Sequence, residues 1–255
     1  MDVFYFLCSN TQMAQISPTF SPLYQQIKGL ILQALESGEW RPGQVIPSEQ
    51  ELAARFNVSQ GTVRKAIDEM AAENILVRRQ GRGTYVASHT DPRQMFRFLR
   101  LLPESGELLT HPKSIPVDCW RAKAGQEAAR ILSIEQGAPI IIVRRVLQFG
   151  HKPIVADEIY LPEELYQGLN MEMLQAWSSS LYSLFETRFG LRMIRAQERI
   201  RAVAADRAAA ELLQVKEGMP LLSVERVTYT YGDKPVEWRR GVYSTSEYYY
   251  LNDLA

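Results

Sequence analysis

Two helix starts follow each other closely in this chain, and a glycine turn follows them, leaving few ways for the segment to fold. Ser48 and Glu51 have the spacing of a capping box, in which each side chain satisfies a free amide of the first helical turn. Leu52, Ala53 and Phe56 give that helix one apolar side, and Asn57, which tolerates the left-handed conformation, ends it in a sharp turn. Ser59 then caps a further helix, whose buried stripe is Val63, Ala66, Ile67 and Met70. Two short β-prone pieces, 76–79 and 84–86, flank Gln80-Gly81-Arg82-Gly83, a tight hairpin tip with a cation at its apex. Upstream, Pro22 opens a helix with apolar positions at Leu23, Ile27, Leu30, Ile31, Ala34 and Leu35, closed by Ser37-Gly38 and the turn at 40–43. Helix, capped helix, turn, capped helix and basic hairpin is the order of a winged helix-turn-helix, placed here at residues 21–88.

That order suits nucleic acid. A helix beginning at Ser59 fits the major groove, where each base pair shows a distinct pattern of donors and acceptors. Ser59 and Thr62 can hydrogen-bond phosphates at its positive end, Gly61 removes a side chain near the sugar-phosphate edge, and Arg64 is long enough to reach a guanine. Lys65 adds charge, and Arg82 at the hairpin apex is placed for the minor groove or a phosphate. The formal net charge of the 255 residues is zero, so any DNA contact comes from a local face. Between residues 22 and 88, the cations Arg64, Lys65, Arg78, Arg79 and Arg82 supply that face, and acidic residues nearly cancel the total.

Cys8 and Cys119 are too few and too distant for a disulfide framework and fit a reducing cytoplasm. No apolar run is long enough to span a bilayer. Met1 to Cys8 is apolar, but Asp2 stands where a signal peptide carries positive charge. Residues 1–20 therefore read as a flexible tail, or as sequence upstream of a true start at Met13.

Residues 89–95, with Asp91-Pro92 and few apolar groups, read as a linker. Beyond it, strand-like runs at 96–102, 114–121, 140–149, 155–160, 193–204, 221–231 and 235–244 are interrupted by helical patterns at 125–132, 163–167, 181–189 and 206–213. This predicts an α+β domain over 96–255 with a mainly antiparallel sheet. The domain also repeats itself. Ala138-Pro139-Ile140-Ile141-Ile142-Val143-Arg144-Arg145 resembles Met219-Pro220-Leu221-Leu222-Ser223-Val224-Glu225-Arg226, and each run is followed by a turn ending in Lys-Pro, at 152–153 and 234–235. Two such units side by side would leave a cleft between them.

The N-terminal module resembles the GntR family of bacterial regulators. The resemblance rests on Pro22-Leu23-Tyr24-Gln25-Gln26-Ile27, Pro47-Ser48-Glu49-Gln50-Glu51-Leu52-Ala53, Thr62-Val63-Arg64-Lys65-Ala66 and Gln80-Gly81-Arg82-Gly83-Thr84-Tyr85-Val86. It implies a sequence-specific transcriptional regulator binding double-stranded DNA. The implied contacts lie at Gln50, Ser59, Gln60, Gly61, Thr62, Arg64, Lys65, Gly81, Arg82 and Gly83, on an inverted-repeat operator matched to a homodimer. The family usually carries arginine at the positions of Gln50 and Gln60, so the operator should diverge toward bases that glutamine reads, adenine above all.

The C-terminal half resembles the UTRA effector-binding domain of the HutC-like branch, with its chorismate-lyase-like fold, through Gly137-Ala138-Pro139, Arg144-Arg145, Lys152-Pro153-Ile154, Ser180-Leu181-Tyr182 and Pro235-Val236-Glu237-Trp238-Arg239-Arg240. By that resemblance the effector residues are Arg145, Asp157, Ser180, Tyr182, Glu237 and Tyr243. Arg145 would grip an anionic group, and Asp157 and Glu237 would accept from hydroxyl or amino groups. A surface ion pair is the alternative for each charged one. Phosphosugar-binding members carry a second arginine where this chain has Leu147. A grip reduced to one arginine points to a carboxylate or amino-acid-derived metabolite, with repression relieved by the ligand. The competing expectation is an enzyme of chorismate-lyase-like fold fused to a DNA-binding module. Against it, His89, His111 and His151 fall outside any catalytic or metal-ligating spacing, so no cofactor, metal or catalytic residue is expected.

Overall fold

The structure is a computed structural model that describes residues 21–92, 94, 97–104 and 112–252. The expected tail at 1–20, with Met13, and His111 lie outside the described residues.

The capping signals act as the sequence predicts. Helix α1 (Leu23–Glu36), α2 (Glu49–Phe56) and α3 (Gln60–Ala72) are followed by the hairpin of β1 (Leu76–Arg79) and β2 (Gly83–Val86). The Ser48 amide donates to Glu51 Oε2 at 2.8 Å while Ser48 Oγ accepts from the Glu51 amide at 3.3 Å. Asn57 turns the chain at φ 53°, and Ser59 Oγ accepts from the Thr62 amide. Ile27, Ile31, Leu35, Leu52, Val63, Ile67, Met70 and Leu76 form the core of this unit. Leu23 and Leu30, expected in the α1 stripe, stay 49% and 43% exposed because they fall on its margins.

The second unit contains β3 (Leu101–Pro103), β4 (Lys113–Lys123), α4 (Gln126–Leu132), β5 (Pro139–Phe149), β6 (Lys152–Pro162), α5 (Met171–Ala176), α6 (Leu181–Phe189), β7 (Arg195–Ala204), α7 (Arg207–Leu213), β8 (Pro220–Tyr229), β9 (Pro235–Tyr243) and β10 (Tyr248–Tyr250). The helix expected over 163–167 is a single 3-10 turn at Glu163–Leu165, and α5 and β10 were not anticipated. Six strands form one antiparallel sheet in the order β4-β5-β6-β9-β8-β7. The sequence repeat is therefore visible in space: β4-α4-β5-β6 and β7-α7-β8-β9 are two meanders joined where β6 pairs with β9.

Alternation along the strands gives the sheet two different faces. On one, Ile141, Val143, Ile159 and Leu161 pack against α5 and α6. On the other, α4 covers Ile140, Ile142 and Trp238, and α7 covers Val146, Ala156 and Leu221. Between those two helices a row of charges crosses all six strands. Asp118, Arg144, Glu158, Arg240, Glu225 and Arg199 are successive register partners, and the sign changes at every step. Opposite charges placed directly across a ladder stabilise it and like charges weaken it, so this row penalises a slipped register.

The segment read as a linker begins in buried structure. Ser88 Oγ and the His89 amide both donate to the Glu186 carboxylate of α6, the latter at 3.0 Å, and His89 Nε2 lies 3.0 Å from the Met193 carbonyl. Arg192 donates to the carbonyls of Asn74 and Ile75 at 2.7 and 3.0 Å. Tyr231 and Ile194 complete the apolar core of the first unit. The two units thus share a packed seam, and residues 88–89 are part of it rather than a solvated tether.

Candidate functional site

The surface expected to face DNA is built by α3, the start of α2 and the β1–β2 tip. Gln50, Ser59, Gln60, Gly61, Arg64, Gly81, Arg82 and Gly83 are exposed, and Thr62 is half-buried, its hydroxyl 2.8 Å from that of Ser59. A Cβ at Gly61 would meet only Ser59 Oγ, at 3.9 Å. Nothing inside the chain demands glycine there, although glycine in a helix costs about 0.5–1 kcal/mol relative to alanine. Close approach of another molecule is a sufficient reason for it. Gly81 and Gly83 turn the tip at φ 69° and 98°, and Arg82 makes no ion pair among the described residues.

Two details depart from the sequence reading. The Lys65 ammonium sits 3.9 Å from the centre of the Tyr24 ring of α1, so it is engaged there rather than beside Arg64. Arg64 and Gln60 are also engaged, on Glu49. Arg64 Nε donates to Glu49 Oε2 at 2.9 Å and Gln60 Nε2 to the same oxygen at 3.2 Å. Arg78 Nη1, from β1, donates to Glu49 Oε1 at 3.0 Å. Burial pushes the Glu49 carboxyl up, but the hydrogen bonds from Arg64, Arg78 and Gln60 outweigh it and hold the group below the usual carboxylate value.

The second site lies on the α6 side of the large sheet, where the two meanders meet. Arg145 of β5 faces Asp157 of β6 in register, and Arg226 of β8 faces Arg239 of β9. Asp157 Oδ2 accepts from Arg145 Nε and Nη2 at 3.0 and 2.9 Å and from Arg239 Nη1 at 3.3 Å. Glu237 Oε1 accepts from Arg239 Nε at 2.7 Å and from the Tyr182 hydroxyl at 3.2 Å. Arg226 donates to Glu198 and to the Phe98 carbonyl, each at 2.5 Å. Arg145, Arg226 and Arg239 are all buried, and with Ser180, Tyr182 and Tyr243 they line one cavity of about 40 Å³.

Arg145, Ser180, Tyr182 and Tyr243 therefore stand together as expected, but Asp157 and Glu237 do not line the cavity. They stand behind the guanidinium groups and hold them, so their expected role as acceptors for the effector is replaced by a role as counterions. The expectation of a single arginine is also revised, because Arg226 and Arg239 were missed. Leu147 does line the cavity, at the position where a second arginine was sought. The internal repeat held the missing signal. It aligns Arg145 with Arg226, and the Lys-Pro turns align Asp157 with Arg239.

Burial opposes the charge on Arg239, but Glu237, Tyr182 and Asp157 together keep it firmly protonated. Burial, and then the neighbouring Arg239, lower the Arg145 value. Burial raises the hydroxyl of Tyr182 and pushes that of Tyr243 up to about 12, so both remain donors near neutrality. Among the described residues, three buried atoms of the cluster have no hydrogen-bond partner: Asp157 Oδ1, Glu237 Oε2 and Arg239 Nη2. Gly241 makes the packing possible, since a Cβ there would lie 2.6 Å from both Asp157 Oδ1 and Tyr243 Cε2.

One helix spans from this cavity to the seam. Ser180 caps α6 and Tyr182 lines the cavity, while Glu186, one turn on, holds Ser88 and His89. The Tyr182 ring lies 5.4 Å from the His89 ring and 5.6 Å from Phe98. Burial, and then Arg192, lower His89 to about 4.

Comparison with known proteins agrees with both halves. Residues 23–86 match the model for bacterial regulatory proteins of the gntR family, and residues 109–249 match the UTRA domain. The chain belongs to the GntR family, with a UTRA domain. The transcriptional repressor NagR of Bacillus subtilis is 27% identical over 231 residues, spanning 91% of this chain and 94% of the relative. The histidine utilization repressor of Pseudomonas putida is 26% identical over 241 residues, spanning 92% and 93%. A solved ligand-binding domain of a GntR-family regulator from Bordetella bronchiseptica superposes with a TM-score of 0.62 at 44% identity, covering 63% of this chain and 99% of that one. This GntR-family chain is accordingly a DNA-binding transcriptional regulator with an effector-binding domain, and the enzyme reading falls. No helix among the described residues is long and apolar enough to cross a membrane.

Proposed function

We propose that this regulator represses transcription as a cytoplasmic homodimer on an inverted-repeat operator, and that a small monocarboxylate held by Arg145, Arg226 and Arg239 changes its affinity for that operator. The observation that carries the effector class is Arg239, which lines this cavity beside hydroxyl groups and whose buried Nη2 donor has no hydrogen-bond partner among the described residues. A buried donor left without an acceptor costs about 1–3 kcal/mol, which a ligand oxygen would recover. The three guanidinium groups are already balanced by Asp157, Glu198 and Glu237. A single negative charge is therefore accommodated more cheaply than the double charge of a phosphate. A cavity of about 40 Å³ holds water rather than a metabolite, so the effector enters as the lining parts. That movement reaches Tyr182 and α6, hence Glu186 and the seam to the DNA-binding unit. Differential affinity for two arrangements is what such a switch requires.

The test is a mobility shift on the promoter of the neighbouring gene, with a panel of amino-acid-derived carboxylates. Arg239→Lys keeps the charge but cannot supply the Nη2 donor. It should weaken the response to the active carboxylate roughly tenfold, the scale of one charge-assisted hydrogen bond, with DNA affinity unchanged. An unaltered dose response would remove Arg239 from the effector site, and a response only to phosphorylated ligands would overturn the monocarboxylate.

A further inference from the structure

We infer that Glu49 is a positioning residue for base reading, docking the Nε edge of Arg64 so that only the Nη1–Nη2 end is presented to a guanine. This rests on the reading of α3 as the helix that enters the major groove, and on Arg64 as its guanine contact.

The geometry is specific. Glu49 occupies the first turn of α2, where a carboxylate already complements the positive end of the helix. From there it gathers donors from two other elements: Gln60 and Arg64 of α3 and Arg78 of β1. The Glu49 side chain is 15% exposed while that of Arg64 is 57% exposed, so the carboxylate is shielded and the guanidinium end is open. Arg78 is fixed on its other side by Asp68, one helical turn beyond Arg64, through Nε at 3.1 Å and Nη2 at 2.6 Å. Wing strand, recognition helix and α2 are thereby locked into one arrangement around a single carboxylate.

Two consequences follow for the code that is read. An arginine held at Nε has lost part of its rotamer freedom before DNA arrives, and pre-organised groups lose less on binding. A carboxylate only accepts, so Gln60 must turn its amide nitrogen toward Glu49 and its carbonyl oxygen outward. The second N–H and the carbonyl oxygen of Gln60 stay free for a two-point contact with adenine, from a side chain already held on its other edge. An acid on this surface also repels phosphates, so Glu49 lowers affinity for DNA of any sequence.

The experiment uses the full-length chain and a duplex selected by it from a random library. Base preference and the salt dependence of binding are measured for the native protein, Arg64→Ala and Glu49→Ala. Arg64→Ala should abolish preference for guanine at one position of each half-site, a loss of roughly tenfold. Glu49→Ala should weaken that same preference roughly fivefold, raise affinity for unrelated duplex, and steepen the log–log salt slope by about one as the released arginines meet phosphates. A merely structural residue would weaken both kinds of DNA together. Glu49→Ala with native base preference and a native ratio of selected to unrelated binding overturns the inference. Arg64→Ala with native preference overturns the reading beneath it, whatever Glu49→Ala does.

Discussion

Glu49 and Asp157 of this GntR-family regulator each hold a pair of arginines, in two opposite settings. In the DNA-binding domain Arg64 and Arg78 are 57% and 42% exposed, while in the effector domain Arg145 and Arg239 are 7% and 5% exposed. Exposed pairs are worth about 0–1 kcal/mol each, so the surface cluster adds little to stability. Buried pairs contribute little net stability, but removing one partner strands an unpaired charge and costs about 3–5 kcal/mol. The surface cluster can therefore lose its carboxylate at small cost in stability, and the buried one cannot.

The sharpest contrast is therefore between Asp157→Ala and Glu49→Ala. The first leaves Arg145 and Arg239 buried without their shared acceptor and should cost about 3–5 kcal/mol in urea unfolding of the second domain. The second should cost under about 1 kcal/mol. Equal losses would break the distinction between the two clusters.

The seam between the units gives a slightly smaller effect, read through pH. His89 titrates near 4 in the folded chain and near 6.5 when unfolded, because burial and then Arg192 disfavour its charged form. Below about pH 6.5 the unfolded chain takes up a proton that the folded chain refuses. Stability is thus intact above 6.5 and falls as pH drops toward 4, by about 3 kcal/mol in total. His89→Gln should flatten that stretch of the stability–pH curve, and an unchanged slope would place the titration elsewhere.

Gly241→Ala comes last, at about 1–3 kcal/mol, the range of an overpacked core. The new methyl group would meet Asp157 Oδ1 and the Tyr243 ring, so the effector response measured by mobility shift should fall further than stability alone accounts for. A variant with native response would mean that Asp157 and Tyr243 can part without consequence.

What could be read from the sequence tracks how local the signals are. Ser48, Glu51, Asn57 and Ser59 act within a few residues, and they set the helices of the first unit as read. The Leu181–Phe189 helix and the strands carrying the sheet follow their periodicities to within a few residues. Arg226 and Arg239 were passed over because a buried arginine on a strand looks like a surface one. Only the pairing of β6 with β9 brings the two meanders, and so these side chains, together. Glu49 was missed for a related reason, since its partners lie on two other elements, α3 and β1. His89, the first residue of the expected linker, is buried instead, because its partners Glu186 and Met193 lie far along the chain.

The duplicated meander has one more implication. A cavity on the axis of two matching halves would offer a ligand two equivalent ends and no reason to choose between orientations. Here the halves agree at Arg145 and Arg226 but disagree at Asp157 and Arg239, an acid in one copy and a base in the other. That mismatch gives the cavity a head and a tail. On the proposed function, a ligand that carries charge at one end only would have a single way to lie in it, and would push on α6 with one fixed end.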